Sequence, residues 1–243
     1  AVATAMRDWR PFYAEEAGVY DARRYRSRHG RHFQRLHHVA LARALGAAAS
    51  RDRVLDVATG TGHALPVLTT LFGSVFALDL TAEMLRVAAT NNPGPTLCVG
   101  SAFALPFADA TFDAVTSTRF LHLFDDTARV RILRELARVA RPRAPVVVDY
   151  YNASARRLLA PAVWVYRRLA RKRPEHDAFL TVDAARAECA EAGLVVEDVR
   201  GVGSLLLGPV ARASDRVVDA FARPFDGAAR VLCEQFVVQA RRA

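Results

Sequence analysis

Lysine is almost missing from this chain: of 34 basic residues only Lys172 is a lysine, and the rest are arginine. Long apolar runs are missing too. No stretch approaches the roughly 20 residues that a membrane helix requires. Ala1 to Trp9 carry no basic start followed by an apolar segment, as a leader would. These absences lead us to expect a soluble, cytoplasmic protein with no membrane partner. Cysteine is scarce, and Cys98, Cys189 and Cys233 form no CxxC pair. A zinc site and a disulfide framework are both disfavoured, which fits a reducing compartment. What charge there is has one dominant sign, with a formal net of +9. Such a balance ordinarily raises nucleic acid as a partner. Here the near absence of lysine, together with abundant alanine, looks more like GC-rich codon usage than a selected surface. Two arginine-dense stretches remain, Arg23 to Arg31 and Arg167 to Arg173. Each reads as a solvated helical face, or as a contact for an anionic substrate or an acidic carrier protein.

With 243 residues, 52% of them hydrophobic, the chain can bury one large α/β core. We expect one domain over 1–243, with a helical cap over 1–50, a ligand-binding core over 51–152, and substrate-side inserts at 153–180 and 203–229. His32 to Leu45 carries apolar residues at helical spacing and predicts an amphipathic helix. Apolar runs at Arg53 to Ala58, Val75 to Leu80, Thr96 to Gly100, Phe112 to Ser117 and Pro145 to Tyr151 predict five strands. Helical patterns at His63 to Phe72, Thr81 to Thr90 and Asp125 to Ala140 lie between them. Alternation of this kind is the signature of a doubly wound parallel sheet. Beyond it we predict helices at Ser154 to Lys172 and Val182 to Ala192, and strands at Leu194 to Val202 and Val231 to Val238.

The chemistry sits at Val54-Leu55-Asp56-Val57-Ala58-Thr59-Gly60-Thr61-Gly62, a strand running through a glycine turn into a helix. Gly60 and Gly62 allow a tight turn and the close approach of a ligand, while the helix that follows should offer free N–H groups. Pro66 falls in that helix's first turn, where its missing N–H is not needed. Asp79 closes the second strand, placed to accept hydrogen bonds from both hydroxyls of a ribose. Turn and acid together point to an adenosine-type ligand. A dinucleotide GxGxxG would place glycine where Leu65 stands, which argues against NAD, and no GK[ST] follows to make a P-loop.

These segments resemble the class I SAM-dependent methyltransferases (SAM, S-adenosylmethionine; SAH, its demethylated product S-adenosylhomocysteine), in the ubiquinone/menaquinone C-methyltransferase-like, small-molecule branch. Leu55 to Gly62 is similar to the family's first motif and Ala77 to Leu85 to its second. Val99 to Phe107 resembles the adenine-contacting segment, Phe112 to Val115 the start of the fourth strand, and Leu136 to Pro142 the turn before the fifth. The resemblance implies a Rossmann-like, mostly parallel seven-stranded sheet with a C-terminal antiparallel strand and a helical lid. It implies SAM as cofactor, SAH as product and no metal. Asp56, Ala58, Thr59, Gly60 and Gly62 would hold the methionine end and the ribose. Asp79 would take the ribose hydroxyls, Leu80 and Met84 would pack on adenine, and Ser101, Ala102 and Phe103 would edge the ring. Carbonyls near Thr118 would receive the ammonium. Ala58 stands where the family has its first glycine, and its small size suggests little cost. Ser101 replaces the usual aspartate, so the adenine contact should weaken, because a charge-assisted hydrogen bond is about twice as strong as a neutral one.

For the acceptor the sequence offers candidates only. His122 follows the fourth strand and is read either as a general base titrating near neutrality or as a core histidine. Tyr20, Tyr25, Tyr150, Tyr151, Trp164 and Tyr166 are candidate substrate contacts, with packing as the alternative. Ser154 to Arg173 is expected to cover the acceptor cavity as a lid. Asp125 and Asp126 look like a helix start. The expected reaction is methyl transfer to O, N or C of a small molecule, anionic or carrier-bound, by a monomer or homodimer. A nucleic-acid methyltransferase is the first competitor, but Thr116-Ser117-Thr118-Arg119 is no NPPY-like motif. The second is a SAM or SAH binder that transfers no methyl group, which fold alone does not exclude.

Overall fold

The computed structural model describes residues 9–158, 178–203 and 233–242. Its centre is a sheet in the order β3-β2-β1-β4-β5-β8-β7. The first five strands are parallel: β1 (Arg53–Val57), β2 (Ser74–Asp79), β3 (Thr96–Val99), β4 (Ala114–Ser117) and β5 (Pro145–Asn152). β8 (Gln235–Arg242) inserts antiparallel between β5 and β7 (Leu194–Val202). A two-residue strand β6 (Phe179–Leu180) adds to the end of β5, an eighth strand beside the seven expected. The Rossmann-like α/β fold expected from the sequence is therefore present.

Continuous apolar strands are explained by helices on both faces. On one face Val54, Ala77, Ala114, Val147 and Val237 pack with α3 (Arg28–Leu45) and α4 (Leu65–Leu71). On the other, Leu55, Leu78, Val115, Val146 and Val148 meet Ile132, Leu133 and Leu136 of α6 (Asp126–Val139). α5 (Ala82–Asn91) follows β2, α7 (Ala153–Leu158) follows β5, and α8 (Val182–Glu191) packs beside α6. Asp125 caps α6, its Oδ1 accepting from the Ala128 N–H at 2.9 Å, as the paired acids suggested.

The chain departs from expectation in three places. α4 begins at Leu65 rather than His63, leaving a seven-residue helix after a longer turn. Two short helices precede the core, α1 (Arg10–Glu16) and α2 (Tyr20–Tyr25). The last strand runs to Arg242, beyond the expected end at Val238. Its polar tail is paired on both sides, Val147↔Gln239 and Leu194↔Arg242, which apolar patterning does not reveal. Most of the expected helix from Ser154 to Lys172, and the insert after Gly203, lie outside the described residues.

Candidate functional site

A cavity of about 350 Å³ opens at the carboxyl ends of the first strands, within the usual size range for small-molecule sites. Its floor is the turn after β1. Three residues there hold left-handed backbone: Ala58 (φ +58°), Gly60 (+56°) and Gly62 (+88°). The turn is pinned by Thr59 N–H to the Leu78 carbonyl and Gly62 N–H to the Thr59 carbonyl, both 3.0 Å. The two glycines differ in purpose. A Cβ on Gly60 would meet nothing within 4 Å, because it would point into the cavity. One on Gly62 would come within 2.7 Å of Asn92 Nδ2 and 3.2 Å of Ala88 Cβ. Gly62 therefore serves the packing of α5 against the turn and is not among the residues lining the cavity. The free N–H groups expected of the following helix are largely taken up, because Leu65 N–H donates to the Gly62 carbonyl, Val67 and Leu68 N–H donate to the Ala64 carbonyl, and Pro66 has no N–H.

The two acids play unequal parts. Asp79 lines the cavity, with Oδ2 accepting from Gly60 N–H and Oδ1 from Thr81 N–H, each at 2.9 Å. Burial raises its pKa, opposed by those backbone hydrogen bonds. Asp56 stands behind the wall, its oxygens accepting from Thr59 Oγ at 2.7 Å and Thr116 Oγ at 2.6 Å. Burial pushes its pKa up to about 6. It braces the turn and does not reach the cavity itself.

Beyond the acids, Leu80 lines the cavity while remaining 44% exposed, and Met84 lies beneath it. Ser101, Ala102 and Phe103 form the adjoining wall. The Ser101 hydroxyl accepts from Phe103 N–H at 3.2 Å and keeps its own proton to donate. Across the chain, residues 55–148 match the family model described as a methyltransferase domain. The likeness of this stretch is to a methyltransferase domain.

Similarity to the domain's relatives is partial in sequence and nearly complete in fold. Demethylmenaquinone methyltransferases are similar to it: that of Renibacterium salmoninarum is 39% identical over 109 residues, 45% of each chain, and that of Thermobifida fusca 40% over 110 residues, 43% and 46%. The chain thus aligns with less than half the length of these relatives. Magnesium protoporphyrin IX methyltransferase from Synechocystis PCC 6803, solved with bound SAH, superposes with a TM-score of 0.67 at 12% identity, covering 96% of this chain and 97% of that one. A SAM-dependent methyltransferase from Thermotoga maritima gives 0.64 at 15% identity, covering 97% and 100%. At such identities the solved structures establish the fold.

The opposite end of the cavity is built by residues that the motifs do not mark. Trp9, Arg10 and Tyr13, together with Tyr20 of α2, close it from the amino-terminal side, and Arg119, Phe120 and Phe124 from the loop after β4. α1 lies against α5 and α2 against α3. Asp21 ties this arm down, accepting from Thr61 Oγ at 2.6 Å and Asn91 Nδ2 at 3.1 Å. Tyr25 is buried, its ring edge-on to His63 and its hydroxyl accepting from Arg119 Nη1. Burial raises its pKa further above the ordinary phenol range, so the hydroxyl stays protonated.

The remaining candidates separate clearly. Tyr20 is in the wall, whereas Tyr25 stands one layer back and Thr118 precedes Arg119 without lining the cavity. Tyr150 is 1% exposed and packs on Phe236 in the core under α6 and α8, and it is not among the residues lining the cavity. Tyr151 stacks on Phe179 and tilts against His122 with ring centroids 4.6 Å apart. His122 is buried in a 3-10 turn and is not among the residues lining this cavity. Desolvation, aided by the nearby Arg119 and Arg24 cations, outweighs Asp149 and drives its pKa down to about 4, not near neutrality. Trp164 and Tyr166, with the lid they were expected to carry, lie outside the described residues.

Proposed function

We propose that the chain binds SAM in this cavity and transfers its methyl group to an aromatic small-molecule acceptor, releasing SAH. The observation that carries the reading is Asp79, held at the cavity floor by Gly60 N–H with lone pairs still available for a ribose. Other features fit the same occupant. Gly60 leaves the space above it open, and Leu80 offers an exposed apolar side chain for the face of an adenine. Ser101, Ala102 and Phe103 edge the ring, and Met84 supports it from below. Asp56 orients the turn through Thr59 and Thr116 without touching the ligand.

Bound SAM supplies a methyl group already activated on a sulfonium, so the chain needs few groups of its own for the chemistry. Its work is to hold the acceptor in line and to keep water out. Tyr20, Phe120 and Phe124 make an aromatic wall suited to a flat ring. The relatives named for demethylmenaquinone lend weight to a quinol-like or phenolic acceptor. His122, desolvated and turned into Tyr151, is a packing residue and not the base. Placement of the chain as one domain, with its inserts on the substrate side, belongs to the same proposal.

Calorimetry tests the cofactor reading directly. Wild type should bind SAM and SAH, and Asp79→Ala should weaken both by 10-fold or more, since hydrogen bonds to a charged acceptor are worth roughly 1.5–3 kcal/mol each. Unchanged affinity in a folded Asp79→Ala protein would refute the site. SAH release in the presence of quinols and phenols then tests transfer.

A further inference from the structure

Arg119 is the most unusual residue of the cavity wall. Its backbone is left-handed (φ +59°), a conformation that costs a side-chain-bearing residue roughly 1–3 kcal/mol and persists only where the surroundings enforce it. The enforcement is visible. Arg119 N–H donates to Asp149 Oδ1 at 2.6 Å, and Asp149 Oδ2 lies 2.9 Å from His37 Nε2, both side chains being buried. A chain of contacts from α3 through β5 thus clamps the loop after β4 and holds Arg119 in the cavity wall.

What the guanidinium meets there is incomplete. Nη1 donates to the Tyr25 hydroxyl and the group lies over the Tyr25 ring, 5.2 Å from its centroid. Nε is enclosed and has no hydrogen-bond partner, and no carboxylate pairs with the head group among the described residues. Asp149, the nearest acid, is already engaged by the Arg119 backbone and His37. An enclosed cation whose head group touches no carboxylate is costly, with only the nearby Asp149 charge acting on it among the described residues, and an arginine fork matches the two oxygens of a carboxylate.

We propose that Arg119 is a carboxylate-anchoring residue of this cavity, with Tyr25 and Asp149 as its positioning residues. The inference rests on the SAM-binding reading above. Two molecules could bring the carboxylate: the cofactor, through its methionine end, or an acidic aromatic acceptor. Tyr25 lies on His63, which adjoins the glycine turn, so the cofactor's own carboxylate is the expected source.

The test compares wild type with Arg119→Met and Arg119→Lys by calorimetry, using SAH, 5′-methylthioadenosine, which lacks the amino-acid tail, and salicylate titrated into SAH-loaded protein. Thermal melts check folding, and Arg119→Lys keeps the charge while removing the fork if the methionine variant fails to fold. Loss of SAH affinity by about 10-fold or more, with methylthioadenosine unchanged, supports the proposal and assigns the carboxylate to the cofactor. Unchanged SAH affinity with salicylate binding lost supports it and assigns the carboxylate to the acceptor. Equal weakening of SAH and methylthioadenosine, or no effect on either carboxylate, overturns it. Failure of wild type to bind SAH would instead remove the functional reading on which it rests.

Discussion

At the scale of single residues, backbone conformation decides more than side-chain size. Ala58 was readable as a small replacement for a glycine, and small it is, yet its φ of +58° places the cost elsewhere. An L-residue held left-handed pays about 1–2 kcal/mol. Ala58→Gly should therefore stabilise the protein by roughly 0.5–1 kcal/mol, the relief being partly offset by the greater freedom of glycine in the unfolded chain. A denaturation midpoint that moves up, with SAH affinity retained, is the expected result, and a lower midpoint would refute it. The same blindness hid Arg119, because nothing in Thr116-Ser117-Thr118-Arg119 announces a positive φ. Asp56 and Asp79 were legible since an acid at a strand's carboxyl end has few uses. The division of labour between them, and between Gly60 and Gly62, was not. It depends on which atoms already have partners in space.

At the scale of elements, the five parallel strands were readable within a residue or two at most boundaries, four because burial makes them largely apolar and β3, at the partly exposed sheet edge, from its short apolar run alone. α1 and α2 fall within the expected helical cap, but their bounds are not legible for the opposite reason. α1 buries none of its residues and α2 buries only Tyr25, so neither has an apolar stripe to read. They are held instead by particular contacts, chief among them Asp21 with Thr61 and Asn91. We expect Asp21→Ala to free α2, weakening SAH binding several-fold while the thermal midpoint shifts little, since so little apolar surface is at stake. A large fall in the midpoint with unaltered binding would mean that α2 belongs to the core and not to the site.

For the molecule as a whole, buried histidines set the response to acid. Burial holds His63 down to about 3 and His122 to about 4, and lowers His38 as well. The unfolded chain protonates these groups near 6.5. Below that pH it binds more protons than the folded protein, so their contribution to stability is full above 6.5 and is lost as pH falls toward the folded values. By pH 5 His63 and His122 should each have given up about 2 kcal/mol. Asp56, pushed up to about 6, and Asp79, also raised, act in the reverse sense and offset only part of this. The melting temperature should fall between pH 7 and pH 5, and His122→Phe should flatten that slope. A flat or rising profile in wild type would contradict the balance.

The arm that closes the cavity carries one of the chain's two tryptophans. Trp9 forms part of the wall, and its ring sits 6.1 Å from that of Tyr13, while its partner in the count, Trp164, lies outside the described residues. With Trp164 changed to phenylalanine, the remaining indole would border whatever fills the space, just ahead of a helix that adds little to the core. Its emission wavelength and its shielding from a soluble quencher would then follow occupancy in real time, giving the molecule a built-in optical gauge that needs no attached dye.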